Sequence, residues 1–323
     1  MKNNTIIILL LAFSVAFEYG CGQGKPKLEL AIDKYDKGHF KEAVEIFKPL
    51  SEEGNPKAQY YMGVMCFEGN GNKKDLKKAF EYFQKAAEQN IQEAQFNLSQ
   101  MYYYGDGVIQ NDAESLKWLI KASDNGNSHA KVNLSARYYA GKGVQKDLKT
   151  AVNLLKEASD KDNPIAQVRL AYMYYYGNGV EQNYDIAIEY AKKAAAKKLP
   201  EAQFILGTMY IKGNGVDKNS KKGKELICLS GKNGCSLGQV YIGLLYIQKG
   251  KEEIAKKWFD IAVKKGDFSE YYIPDENGGV LKKNPTVSDF KKALDFINDE
   301  NSDEDAQQLP LPTQPDTKPP KPH

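Results

Sequence analysis

Apolar and small residues return along the chain on a fixed spacing. Ala58, Ala94, Ala130, Ala166, Ala202 and Gly238 stand 36 residues apart, and each heads a segment of the same grammar. The stretch Ala202-Gln203-Phe204-Ile205-Leu206-Gly207-Thr208-Met209-Tyr210 has close counterparts from Ala94 to Tyr102 and from Ala166 to Tyr174. Ala202, Leu206, Gly207 and Tyr210 fall at i, i+4, i+5 and i+8, which is one face of a helix. This predicted helix A runs into a glycine pair: Gly69/Gly71, Gly105/Gly107, Gly141/Gly143, Gly177/Gly179 and Gly213/Gly215. Glycine adopts positive φ without strain, so a pair can end a helix and turn the chain back. Asp75, Asn111, Asp147, Asn183 and Asn219 follow, placed to cap a second helix. In this helix B, small residues (Ala79, Ser115, Ala151, Ala187, Gly223) precede large ones (Tyr82, Trp118, Leu154, Tyr190, Leu226) and small ones again (Ala86, Ala122, Ala158, Ala194, Ser230). Small against large at helical spacing lets antiparallel helices approach closely.

The pattern divides the chain. Five full units occupy 58–237 (58–93, 94–129, 130–165, 166–201 and 202–237). Residues 28–57 lack the glycine-pair loop and predict a shorter, tetratricopeptide-like helix pair. Residues 238–266 keep Ile242-Gly243 and Tyr246 but lose four loop residues before Ala255 and Trp258, a shortened terminal unit. Segment 267–299 predicts a linker and an amphipathic capping helix over Thr286 to Asn298, with Val287, Phe290, Ala293, Leu294 and Ile297 on its apolar face. Residues 300–323, with Pro310, Pro312, Pro315, Pro319, Pro320 and Pro322 and little to bury, predict a disordered tail.

The motif A-x-x-x-L-G-x-x-Y-x-x-G-x-G-V, then D/N, K-A-x-x-W/Y and K-A-A, over 36 positions, resembles the Sel1-like repeat, kin to the tetratricopeptide repeat. The resemblance implies an all-α protein, an α-solenoid of antiparallel helix pairs. It also implies that A helices line a concave side and that the protein binds other proteins.

The N-terminus adds a destination. Lys2 precedes an apolar run from Ile6 to Phe17. Such a run rises only about 18 Å as a helix, short of the roughly 30 Å membrane core, so residues 1–21 predict an export signal. Cys21 after Gly20 resembles the lipidation site of bacterial lipoproteins, although Glu18 and Tyr19 replace the usual leucine and small residue. Cleavage after Ala16 or Gly22, giving a secreted or surface-exposed form, is the alternative to an anchored protein facing the periplasm. In the anchored form, residues 22–27 are a tether between lipid and fold.

Composition narrows the chemistry. A net charge of +3 across 323 residues is far too small to predict a nucleic-acid-binding face. The three histidines, His39, His129 and His323, share no spacing that suggests a metal or a triad. The Gly-x-Gly loops follow no strand and precede no Lys-Ser/Thr, so the periodic turn explains them better than a phosphate cradle. Because some cysteine-rich members of the resembled family have been linked to β-lactams, the Ser-x-x-Lys matches at Ser128 and Ser288 and the Ser123-Asp124-Asn125 match bear on function. No Lys-Thr-Gly accompanies them and their order is wrong, so they read as chance. No cofactor and no metal is implied.

By the same resemblance Cys228 and Cys235 lie near the junction that cysteine-rich relatives bridge, and a disulfide between them is possible if a turn over residues 231–234 brings them together. Cys66 occupies the tyrosine column of Tyr102, Tyr138, Tyr174, Tyr210 and Tyr246 and predicts a packed core thiol.

Three helix A columns vary where the rest hardly change, and they share one stripe at i, i+3 and i+7. Their candidate partner-binding residues are Tyr61, Asn97, Gln100, Tyr104, Asn133, Arg169, Tyr172, Tyr176, Thr208 and Lys212. Tyrosine, arginine and amides suit a peptide anchored by stacking and directional hydrogen bonds. The same stripe could instead pack on neighbouring repeats. The expectation is a non-catalytic interaction scaffold of the bacterial cell envelope, holding a peptide or protein partner in its groove. The alternatives are a hydrolase acting on cell-wall or β-lactam substrates and a secreted host-interaction factor.

Overall fold

The computed structural model describes residues 26–265. The predicted signal, Cys21, capping helix and tail lie outside them. Among the described residues there are fourteen helices and no strand. The chain divides into two compact units, Met1–Ala130 and Lys131–His323.

The first unit holds α1 (Lys27–Asp36), α2 (Phe40–Glu52), α3 (Pro56–Glu68), α4 (Leu76–Glu88), α5 (Gln92–Tyr104) and α6 (Asp112–Asp124). Each packs on the next in chain order. Its core is a row of small and large side chains, with Phe47, Met62 and Met65 in one cluster and Phe83, Leu98, Met101 and Trp118 in the next.

Helix α7 (Ser128–Ala140) crosses the division between the units. Beyond it the second unit holds α8 (Leu148–Asp160), α9 (Pro164–Tyr176), α10 (Tyr184–Ala196), α11 (Pro200–Lys212), α12 (Ser220–Lys232), α13 (Ser236–Gln248) and α14 (Glu252–Lys265). Packing again runs between chain neighbours, with an additional contact between the A helices α9 and α11. The architecture is an α-solenoid of antiparallel helix pairs.

The caps work as the spacing requires. Each of Asp75, Asn111, Asp147, Asn183 and Asn219 accepts, through its side chain, the backbone N–H three residues on. The same residues donate their own N–H groups to the carbonyls of Cys66, Tyr102, Tyr138, Tyr174 and Tyr210, at 2.8–2.9 Å. One residue therefore starts helix B and ties it to the end of helix A.

The two glycines of a pair do different jobs. Gly213 ends α11 in the left-handed region, φ 74°. A Cβ on Gly215, φ 69°, would come within 2.5 Å of the Tyr184 carbonyl, so this glycine lets the loop lie on the preceding helix B.

Helix A starts two residues before the alanine ruler, at Pro56, Gln92, Ser128, Pro164, Pro200 and Ser236. Where Asn55 and Asn163 precede proline, the asparagine caps and the proline fills the first turn, where its missing N–H costs nothing.

Candidate functional site

In the first unit the variable stripe comprises Tyr61, Asn97, Gln100 and Tyr104. Tyr61 is half-buried against the core: its ring stacks on Phe47 (centroids 4.8 Å apart, 8° between planes) and meets Tyr35 edge-on at 5.2 Å. Burial there pushes its hydroxyl pKa above the usual tyrosine value. Asn97 and Gln100 are half-buried. Tyr104 is 67% exposed and rests edge-on against Tyr103 at 5.0 Å, so its face is available to a partner.

The stripe is more enclosed in the second unit. Tyr172 and Thr208 keep only 4% and 3% of their surface exposed. Both were expected to face a groove, but Tyr172 packs in the helix core with Ile205 and Met209, and Thr208 donates its hydroxyl to the Phe204 carbonyl at 3.0 Å. Arg169 is half-buried and donates Nη1 to the Val132 carbonyl at 3.0 Å, bridging neighbouring A helices. Asn133 is half-buried. Tyr176 lies parallel to Tyr172 at 6.3 Å and edge-on to Tyr175 at 4.8 Å, and burial holds its hydroxyl well above the usual tyrosine range. Lys212 is exposed at the end of α11, with its ammonium held below the usual lysine range by partial burial. In the first unit Tyr104 thus stays open at the C-terminal end of α5, and in the second Lys212 stays open at the C-terminal end of α11.

A cavity of about 810 Å³ in the first unit adds a site that the periodicity did not single out. Lys48, Lys73, Lys74, Lys77 and Lys78 line it, over Met62 and Cys66. The next repeat replaces the last four with Ile109, Gln110, Ala113 and Glu114, so the charge belongs to this repeat alone of the two.

The described cysteines are all free thiols. Cys228 and Cys235 are not joined: Cys228 lies within α12, whereas Cys235 is the residue before α13. Burial pushes their pKa values up to about 11 and about 12 respectively, and raises that of Cys66 too. Such thiols are poor nucleophiles. Among the described residues no group of three or more His, Cys, Asp or Glu could hold a metal ion. No helix among them is long and apolar enough to cross a membrane.

The glutamine that follows the ruler residue in five of the six repeats, with Lys131 in the other, has a structural role not assigned from the sequence. Gln59, Gln95, Gln167, Gln203 and Gln239 are all buried. Gln59 and Gln95 donate to the Ser51 and Ala87 carbonyls of the preceding helix B. Gln59, Gln95 and Gln203 accept from Gln89, Asn125 and Asn233, each thirty residues on. Recurrence in step with the ruler was the available signal.

The Sel1 repeat pattern matches residues 56–91, 92–127, 128–163, 164–199, 200–235 and 236–267. The chain belongs to the Sel1 repeat family. Its sixth repeat is the shortened terminal unit, and the matched segments start where the A helices start. A Sel1 repeat protein from Oxalobacter formigenes is similar at 31% identity and TM-score 0.65, over 74% of this chain and 100% of that one. The protein c5321, a protective antigen present in uropathogenic Escherichia coli strains and displaying an SLR fold, is similar at 27% identity and TM-score 0.60. That match covers 88% of this chain, which spans 62% of the length of c5321. No curated protein matches the chain. Sel1 repeats generally mediate protein–protein interaction, which supports a protein partner for this chain.

Proposed function

We propose that this Sel1 repeat protein is a non-catalytic scaffold of the bacterial envelope that holds a peptide or protein partner along its A helices. One observation carries the reading. Among the candidate residues, Tyr104 and Lys212, each the last residue of its A helix, stay accessible. A position released from packing can be written for a partner, and an exposed aromatic ring and a cation are side chains that anchor one. Asn97 and Gln100 in the first unit, and Asn133 and Tyr176 in the second, are half-buried. Tyr104→Ala combined with Lys212→Ala tests this: helicity stays at the wild-type level and partner capture is lost. Undiminished capture defeats the assignment.

The envelope location rests on the apolar run from Ile6 to Phe17 and on Cys21. Metabolic labelling with palmitate tags the wild type and not Cys21→Ser if Cys21 carries the lipid. The similarity to a protective antigen favours a second reading, a surface-exposed or secreted factor. In a secreted form, the wild type takes up no label and accumulates in the medium.

A further inference from the structure

The cavity of the first unit lies where one ring is missing. Cys66 stands in a column that is otherwise tyrosine, at Tyr102, Tyr138, Tyr174, Tyr210 and Tyr246. Its backbone is in register with theirs: the Cys66 carbonyl accepts the Asp75 N–H at 2.8 Å, as that of Tyr102 accepts the Asn111 N–H and that of Tyr210 the Asn219 N–H. Where the ring is present, it fills the space between neighbouring B helices. Tyr102 meets Phe80 of the preceding helix B edge-on at 5.4 Å, and Tyr174 stacks on Tyr190 of the following one at 6.1 Å. In the first repeat the columns of Phe80 and Tyr190 hold Val44 and Tyr82, and both line the cavity beside Cys66.

The lysines around this gap stand in columns that hold a tyrosine elsewhere. Lys222, in the column of Lys78, donates Nζ to the Tyr210 hydroxyl at 2.8 Å and lies 4.2 Å from the ring centroid. Lys156, in the column of Lys48, lies 5.8 Å over the Tyr174 ring. Lys48 and Lys78 both line the cavity, with Cys66 in place of the ring.

Charge adds a second preference. The lining residues include five lysines and one aspartate, Asp75, whose carboxylate is taken up by the Lys78 N–H at 3.1 Å and the Lys78 ammonium at 3.7 Å. Lys48, Lys73 and Lys77 are exposed, and their ammonium groups make no hydrogen bond or ion pair among the described residues. Converging cations of this kind attract carboxylates. Glu81, a turn beyond Lys77 and outside the cavity, repels them, which confines an acidic segment to the loop end of α4.

We propose that this cavity docks an acidic peptide segment of a partner protein, one of whose tyrosines enters the space left at Cys66 while neighbouring carboxylates meet Lys48, Lys73 and Lys77. The volume of about 810 Å³ exceeds one ring and lies within the range of ligand pockets, roughly 300–1,000 Å³. Neither Tyr104 nor Lys212 lines it, so this contact is separate from the one at the ends of the A helices.

Fluorescence anisotropy of a labelled Glu-Glu-Tyr-Glu-Glu peptide against the full chain tests the proposal, with Glu-Glu-Ala-Glu-Glu as the ring-free control. The wild type binds the tyrosine peptide roughly tenfold or more tightly than the alanine peptide, the scale of burying one aromatic ring. Both bind more weakly as salt rises. Cys66→Tyr fills the space with the chain's own ring and removes the preference, whereas Cys66→Ala keeps it. Lys73→Glu/Lys77→Glu weakens both peptides roughly tenfold or more. Circular dichroism checks that each variant is folded, and the comparison of peptides on the wild type needs none of them. No binding, or equal binding of the two peptides by the wild type, overturns the proposal, as does an undiminished preference in folded Cys66→Tyr. Displacement of the peptide by an equal concentration of free 4-hydroxyphenylacetate assigns the cavity to a small aromatic acid and overturns it too. A dimer of the protein that the peptide disperses assigns the cavity to a second copy, with the same consequence.

Discussion

Asn125 donates its side-chain amide to Gln95 at 2.8 Å, while Gln95 donates to the Ala87 carbonyl at 3.1 Å. Two side chains thereby join the end of α4, the start of α5 and the end of α6. A buried amide with both halves satisfied costs little to keep and much to break, because its partners cannot turn to water. Gln95→Ala is expected to destabilise the protein by about 1–3 kcal/mol, read as a lower urea midpoint.

The caps give a graded series. Asn183 satisfies the Ile186 N–H at 3.0 Å at the start of α10. Asn183→Ala should cost about 1 kcal/mol and Asn183→Gly a few tenths, since glycine keeps the backbone geometry of the cap. Thermal unfolding of the two variants checks the order; equal losses would show that the side-chain bond contributes nothing.

Gly207 is set by contact. A Cβ there would come within 2.7 Å of the Gly223 carbonyl and of Ile227 Cγ1, so α11 and α12 must separate to admit it. Gly207→Ala should cost about 1–3 kcal/mol through overpacking, although alanine is the better helix former. A variant as stable as the wild type would show that the two helices slide apart freely.

Acid should loosen the stack through carboxylates that are bonded when ionised. Asp147 is held below the usual aspartate range by the Thr150 hydroxyl at 2.6 Å and then by the Thr150 N–H. Asp162 is held low by Lys197 and Gln167. A pKa lowered by folding contributes stability above the unfolded value, near 4, that is lost as pH falls through the folded value. Urea midpoints are therefore expected to stay level from pH 7 to 5 and to drop toward pH 3. Asp147→Asn should show a smaller drop, because its cap does not titrate.

The repeats, glycine pairs and caps were legible in the sequence because each is a local demand of the backbone: Gly215 needs a missing Cβ and Asn219 needs an oxygen. Helix A begins two residues before the ruler in every repeat, with proline at Pro56, Pro164 and Pro200 but Gln92, Ser128 and Ser236 elsewhere, so no single residue type marked its start. The candidate stripe was legible only as a stripe. Variation between Tyr172 and Thr208 suggested freedom from packing, yet both are buried where A helices meet, since that spacing accepts side chains of different size. Tyr104 and Lys212 stand in the same column as Tyr176, yet Tyr176 is half-buried against Tyr172 and Tyr175, a difference between repeats that periodicity does not carry.

The central claim is that a protein partner lies on the rim of the A helices, and site-specific photo-crosslinking in the native cell tests it most directly. A photoreactive phenylalanine at Tyr104 or Lys212 should give a discrete adduct with another protein, while the same probe at the exposed helix B positions Glu81 and Glu189 gives none. The same adducts from all four positions, or adducts from Glu81 and Glu189 alone, would contradict the account.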